Sequence, residues 1–201
     1  LLFGQDEDKS KTIISKTISK FNVEEKFGEY AYTPVSVIKV NYNNDGLVMD
    51  ESHYDAHGQL VNDGNTEAWY LGYDNANEKV AKYKFEYNEN SKIMDKSFYN
   101  AEGSLVFKVK YNYDLNGRKN QYTDYDGEGK LLRKNLWKYD TNGLKIEDTE
   151  YKSDGSIVDK TEYEYNSDKN VEKVTNYDSD GTVSRLTKYV YYSSGKLKNT
   201  H

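Results

Sequence analysis

The chain has 201 residues, no cysteine, one proline and a formal net charge of -6, with only 35% hydrophobic residues. Disulfides, thiolate nucleophiles and zinc–thiolate sites are thereby excluded. The interleaving of lysines with acids speaks against nucleic acid as a partner, and no stretch approaches the ~20 apolar residues of a membrane-spanning helix. Leu, Ile, Val and Phe are too sparse for a thick two-layer core. The 14% aromatic content, including 21 tyrosines, speaks against disorder and for a thin, repetitive β-structure.

At the N-terminus, residues 1–5 (LLFGQ) contrast with the acidic DED that follows and read as the tail of a secretory signal running into its cleavage region. Export is therefore expected, as a secreted, periplasmic or cell-surface protein; the alternative is a short apolar terminus that packs against the fold. Residues 6–34 stand outside the pattern described below and are expected to form a capping segment over the first sheet edge. Ile14, Ile18 and Phe21 have helical spacing, yet the stretch is rich in β-branched residues, so periodicity leaves helix and strand both open.

From residue 35 to 201 one short phrase recurs: tyrosine, an acid or amide, two variable residues, then glycine. YDLNG at Tyr113 and YDGEG at Tyr125 are two copies. From Tyr87 the spacings of the phrase tyrosines (87, 99, 113, 125, 139, 151, 165, 177, 191) alternate between 12 and 14, so the unit is 26 residues with two turns. The Asp or Asn side chain is suited to bond the backbone two residues on, and the glycine to close a type I turn with a bulge. Asn77, Ser91 and Lys169 replace that glycine in three copies.

Between turns lie runs such as SLVFKVKY, which predict strands. The fold expected is all-β: a repetitive antiparallel meander of about 13 strands, largely single-layer and curved or spiral. Successive turns fall on opposite edges. Pairing each tyrosine with the residue five later puts consecutive tyrosines on opposite faces. One face then gathers Phe107, Val109, Tyr111, Trp137, Tyr139 and Tyr163; the other, mostly solvated, gathers Thr123, Tyr125, Lys134, Thr149, Tyr151 and Lys160.

The phrases WKYDTNGL, YNYDLNGR and YDGEGKLL resemble the YD repeats of the RHS family over roughly residues 40–197. That family's usual Arg after the turn glycine occurs here only as Arg118, and the chain is too short for the family's large toxin-enclosing shells. A second resemblance is to MORN-like repeats of antitoxin-type proteins. Both imply extracellular scaffolding or binding and bring no catalytic residues to this chain.

Candidate chemistry is sparse. Asn176, Asp178 and Asp180 imitate the start of a calcium loop, as do Asn41, Asn43 and Asp45, but the twelfth positions hold Thr187 and Ser52 where a bidentate Glu is needed. His53 and His57 are four apart around a predicted turn, without a third ligand nearby. No metal, cofactor or catalytic residue is expected, and the protein reads as a non-enzyme. The repeat loses phase over residues 61–80, which contain Trp69 beside Tyr70. Trp69, Tyr70, Trp137 and Tyr139 are the expected binding residues, for a polysaccharide or a protein surface. Alternative readings are an antitoxin or immunity-like protein that binds a partner, and an inert spacer in a larger surface protein.

Overall fold

The computed structural model describes residues 14–61 and 80–200. Residues 1–5, Trp69, Tyr70 and the turn position Asn77 lie outside the described residues. Among the described residues the fold is all-β, with thirteen strands following chain order in one open antiparallel sheet. It divides into two compact units, Leu1–Val106 and Phe107–His201.

The first unit holds β1 (Ser15–Lys26), β2 (Glu29–Tyr42), β3 (Val48–Asp55), β4 (Lys82–Tyr87) and β5 (Ile93–Tyr99). Residues 15–34 are strand, not helix: β1 and β2 pair directly, Ile18 opposite Ile38 and Val23 opposite Tyr32. A two-residue turn joins them, with both Phe27 (φ 55°) and Gly28 (φ 83°) left-handed, as a primed hairpin turn requires. Only Ser36–Tyr42 of β2 pairs with β3. The rest of the hairpin is two-stranded and exposed, including Phe21, Val23, Tyr30 and Tyr32. Packing in this unit concentrates elsewhere, on Val40, Val80, Tyr83 and Phe98, the last 2% exposed. The ring of Tyr83 meets Phe98 edge-on at 5.5 Å and His53 at 6.0 Å.

The second unit continues with β6 (Leu105–Tyr113), β7 (Lys119–Asp126), β8 (Leu131–Tyr139), β9 (Lys145–Lys152), β10 (Ile157–Tyr165), β11 (Val171–Tyr177), β12 (Val183–Tyr191) and β13 (Leu197–Thr200). The 12/14 alternation has a direct cause. Strands ending at Tyr113, Tyr139, Tyr165 and Tyr191 have 9 residues, and the intervening β7, β9 and β11 have 7 or 8.

Each phrase among the described residues is the expected turn. The Gly117 N–H donates to the Asp114 carbonyl at 2.8 Å and the Asp114 N–H to the Arg118 carbonyl at 2.8 Å. Asp114 Oδ1 meanwhile accepts the N–H of Asn116 and of Arg118. Asn43, Asp55, Asn88, Asp126 and Asn166 repeat this pair of side-chain bonds. Ser91 (φ 58°) and Lys169 (φ 64°) adopt the left-handed conformation that glycine takes elsewhere.

The register differs from expectation by one residue. Tyr113 pairs with Lys119, six later, and the ladder shifts between Asn112 and Tyr113. The bulge absorbs the extra residue, so consecutive phrase tyrosines still fall on opposite faces.

The second face departs more clearly from a solvated surface. Thr123, Thr149 and Thr175 are buried there, Thr149 to 1% exposure, as are Ser52 and Ser97 in the first unit. Their cross-strand partners explain this. Thr123 sits between Lys110 and Lys134, and Ser52 between Lys39 and Lys82. Long lysine stems lie over the short side chains. Their ammonium groups reach tyrosine rings, Lys39 over Tyr54 at 4.7 Å, Lys84 over Tyr99 at 5.1 Å, Lys134 over Tyr151 at 4.5 Å and Lys160 over Tyr177 at 5.5 Å.

Candidate functional site: an aromatic row in the second unit

Alternation along β6, β7 and β8 brings Tyr111, Tyr122 and Trp137 to one face. Tyr111 is directly opposite Tyr122; Trp137 lies two positions beyond Asn135, the β8 partner of Tyr122. The rings form a near-parallel row, Tyr111 to Tyr122 at 6.4 Å and Tyr122 to Trp137 at 6.1 Å, the latter pair only 16° apart. The row stops at Trp137 because its β9 partner is Asp148, whose carboxylate is held by Lys145 Nζ at 2.9 Å.

A charged cluster fixes the row. Asp124, fully buried, accepts the Tyr122 hydroxyl at 2.8 Å and Arg133 NH2 at 3.2 Å through Oδ2. Arg133 also reaches Glu150 at 3.5 Å and lies 5.4 Å from the Tyr122 ring centroid. At the other end, Lys119 Nζ sits 4.0 Å over Tyr111. Burial, followed by the negative charge of Asp124, pushes the Tyr111 phenol above its ordinary range. Burial lowers Lys119. The side-chain oxygens of Asn120 and Asn135 are buried and have no hydrogen-bond partner among the described residues.

Of the residues singled out from sequence, Trp137 ends this row. Tyr139 has a different occupation: its hydroxyl donates to the Lys119 carbonyl at 2.6 Å, and the Arg118 guanidinium stacks on its ring at 4.7 Å. Trp69 and Tyr70 fall outside the described residues. Sequence reasoning passed over Tyr122, Asp124, Arg133 and Asn135. The available signal was Tyr122 itself, an extra tyrosine three positions before the phrase tyrosine Tyr125.

The other candidates are absorbed by local structure. Asn43 accepts the Asp45 and Leu47 N–H groups, and Asp180 accepts both the N–H and the hydroxyl of Thr182. His53 bonds Glu51 at 2.8 Å, and His57 is exposed on its turn. Among the described residues no group of three or more His, Asp or Glu side chains is placed to hold a metal ion. No helix among them is long and apolar enough to cross a membrane.

The site and fold define a repetitive β-sheet module. No protein-family model matches the chain, and no curated protein does either. Among solved structures, the Photorhabdus luminescens Tc holotoxin pore carrying TccC3-D651A aligns at 13% identity and a TM-score of 0.37, over 91% of this chain and 11% of that one. TcdB2-TccC3 without its hypervariable C-terminal region aligns at 14% identity and 0.38, over 93% and 12%. A porin-like protein from Bacteroides uniformis aligns at 13% identity and 0.39, over 89% and 61%. The chain thus spans about a tenth of the two toxin chains, and likenesses at these TM-scores carry no weight for ancestry or activity.

Proposed function

We propose that the protein is a non-enzymatic, exported binding module whose tyrosine-rich face takes polysaccharide, with Trp137 as the stacking ring. The observation carrying this reading is the end of the aromatic row. Tyr122 covers one face of Trp137, while on the other side β9 presents Asp148 opposite it and Glu150 two positions on. Sugar rings stack their C–H faces on an indole, and carboxylate and amide oxygens accept their hydroxyls. The cross-strand rings and the Asp124–Arg133 pair hold the row rigid, which lowers the entropy lost on binding.

The test is retention of the purified chain on insoluble cell-surface polysaccharide, comparing wild type with Trp137→Ala and Tyr151→Ala. Tyr151 lies on the opposite face, under Lys134. Loss in the first variant and retention in the second is the expected result. Equal retention by all three removes the site, and release of reducing ends from the polysaccharide refutes the non-enzymatic reading.

A further inference from the structure

Arg118 shows how this repeat accommodates a guanidinium. It occupies the groove between the β6–β7 turn and the β8–β9 turn. Its Nε bonds Asp114 Oδ2 at 2.6 Å, its NH1 bonds the Asp140 carbonyl at 3.3 Å, and its plane lies over the Tyr139 ring at 4.7 Å. Two repeats later, 52 residues on, the tyrosine ring and the flanking turn recur, whereas an amide replaces the Asp114 carboxylate and the arginine is gone. Asn166 stands for Asp114, Tyr191 for Tyr139 and Tyr192 for Asp140, while the shorter Asn170 replaces Arg118.

The corresponding groove, between the β10–β11 and β12–β13 turns, contains a cavity of about 320 Å³ lined by Asn166, Asp168, Glu172, Tyr189, Tyr191 and Tyr192, among others. Its ring is set like the filled one: the Tyr191 hydroxyl donates to the Val171 carbonyl at 2.8 Å, as Tyr139 does to Lys119 at 2.6 Å. Both charged side chains that line it, Asp168 and Glu172, are acidic.

We infer that this groove binds an arginine side chain presented by a partner protein, which takes the place that Arg118 fills from within. A planar, weakly hydrated guanidinium stacks on a tyrosine face and donates to carboxylates and a turn carbonyl simultaneously; an ammonium does so poorly. The volume lies at the small end of ligand sites and suits one side chain rather than a folded ligand. The groove is separate from Trp137, so it stands or falls independently of the polysaccharide reading.

The experiment is an NMR titration of the full chain with a pentapeptide, Ala-Ala-Arg-Ala-Ala, its lysine counterpart and free arginine. The arginine peptide is expected to shift the Tyr191 ring and Asn166 amide signals saturably, with the lysine peptide about tenfold weaker. Asn170→Arg fills the groove internally and abolishes the response while keeping the wild-type unfolding midpoint or raising it. Trp137→Ala leaves the response unchanged. The inference is overturned by absence of a saturable shift, by equal response to the lysine peptide, or by an undiminished response in folded Asn170→Arg. Free arginine binding as tightly as the peptide overturns the assignment to a protein partner.

Discussion

The phenol of Tyr139, at the end of β8, donates to the carbonyl of Lys119, at the start of β7, across the rim where these strands have no turn between them. The same bond joins Tyr165 to Lys145 at 2.7 Å and Tyr191 to Val171 at 2.8 Å. In the first unit Tyr87 bonds the Val48 carbonyl at 2.8 Å. The phrase tyrosine that ends β4, β8, β10 or β12 is thus a clamp that ties one turn to its neighbour on the same rim.

Tyr165→Phe removes the clamp's donor and keeps its ring. A loss of about 1 kcal/mol is expected, read as a lower urea midpoint at unchanged slope. Tyr151→Phe keeps its contact with Lys134, which uses the ring, and should shift the midpoint much less. Equal losses at the two positions would show that the hydroxyl of Tyr165 does not clamp.

Alkali should undo the clamps of Tyr165 and Tyr87. Burial, the first cause, and then the charges of Tyr163 and Asp140 raise the Tyr165 phenol, with Lys145 pulling the other way; burial also raises Tyr87. A phenol raised in the folded state contributes stability that is complete below its unfolded value, about 10. That contribution is lost as pH climbs through the folded value. Urea midpoints should therefore fall above pH ~10, and less steeply in Tyr165→Phe. A flat profile would refute the link.

Glycine positions in the turns separate strain from space. Gly143 (φ +86°) and Gly155 (φ +85°) are both left-handed, but a Cβ on Gly143 would stand 3.1 Å from Arg118 NH1, whereas one on Gly155 meets nothing within 4 Å. Both alanine variants should lose about 1 kcal/mol from backbone strain, with Gly143→Ala the worse by a few tenths. Adding Arg118→Met should erase that difference. Conversely, Lys169→Gly relieves a φ of 64° and should stabilise by up to about 1 kcal/mol, measured by denaturant unfolding.

Arg133 neutralises a carboxylate with no exposure. Arg133→Met is therefore expected to cost about 3 kcal/mol, since a buried charge loses its ion-pair partner. Removing both members in Arg133→Met/Asp124→Leu should recover part of that loss, and a double-mutant cycle measures the coupling. Additive losses would place the Asp124 charge under other control.

Local chemistry made most of the fold legible in the sequence. A residue able to take positive φ, in most copies together with an Asx side chain, is sufficient for a turn, so the phrase marked the corners even where Ser91 and Lys169 replaced glycine. Alternating spacings then dictated the meander, and period two dictated the faces. Residues 14–34 resisted because a short amphipathic stretch satisfies helix and strand spacing equally; pairing of Ile18 with Ile38 and of Val23 with Tyr32 made them strand. The burial of Thr149 likewise depends on Leu136 and Lys160 of the adjoining strands.

The candidate site was legible only at Trp137. Tyr122 meets Trp137 because the β7–β8 ladder, with its bulge between Asp124 and Tyr125, brings separate strands into one register, and no local propensity encodes that. Tyr139 looked like a binding ring from its neighbours in sequence, yet the rim two turns long that employs it exists only after folding. Turn-forming residues act over five positions and announce themselves, whereas clamps, ring rows and the link from Arg118 to the next turn join residues 11 to 39 positions apart. Their energies depend on where the assembled ladder places each side chain, so the corners belong to the sequence and the surfaces to the tertiary structure.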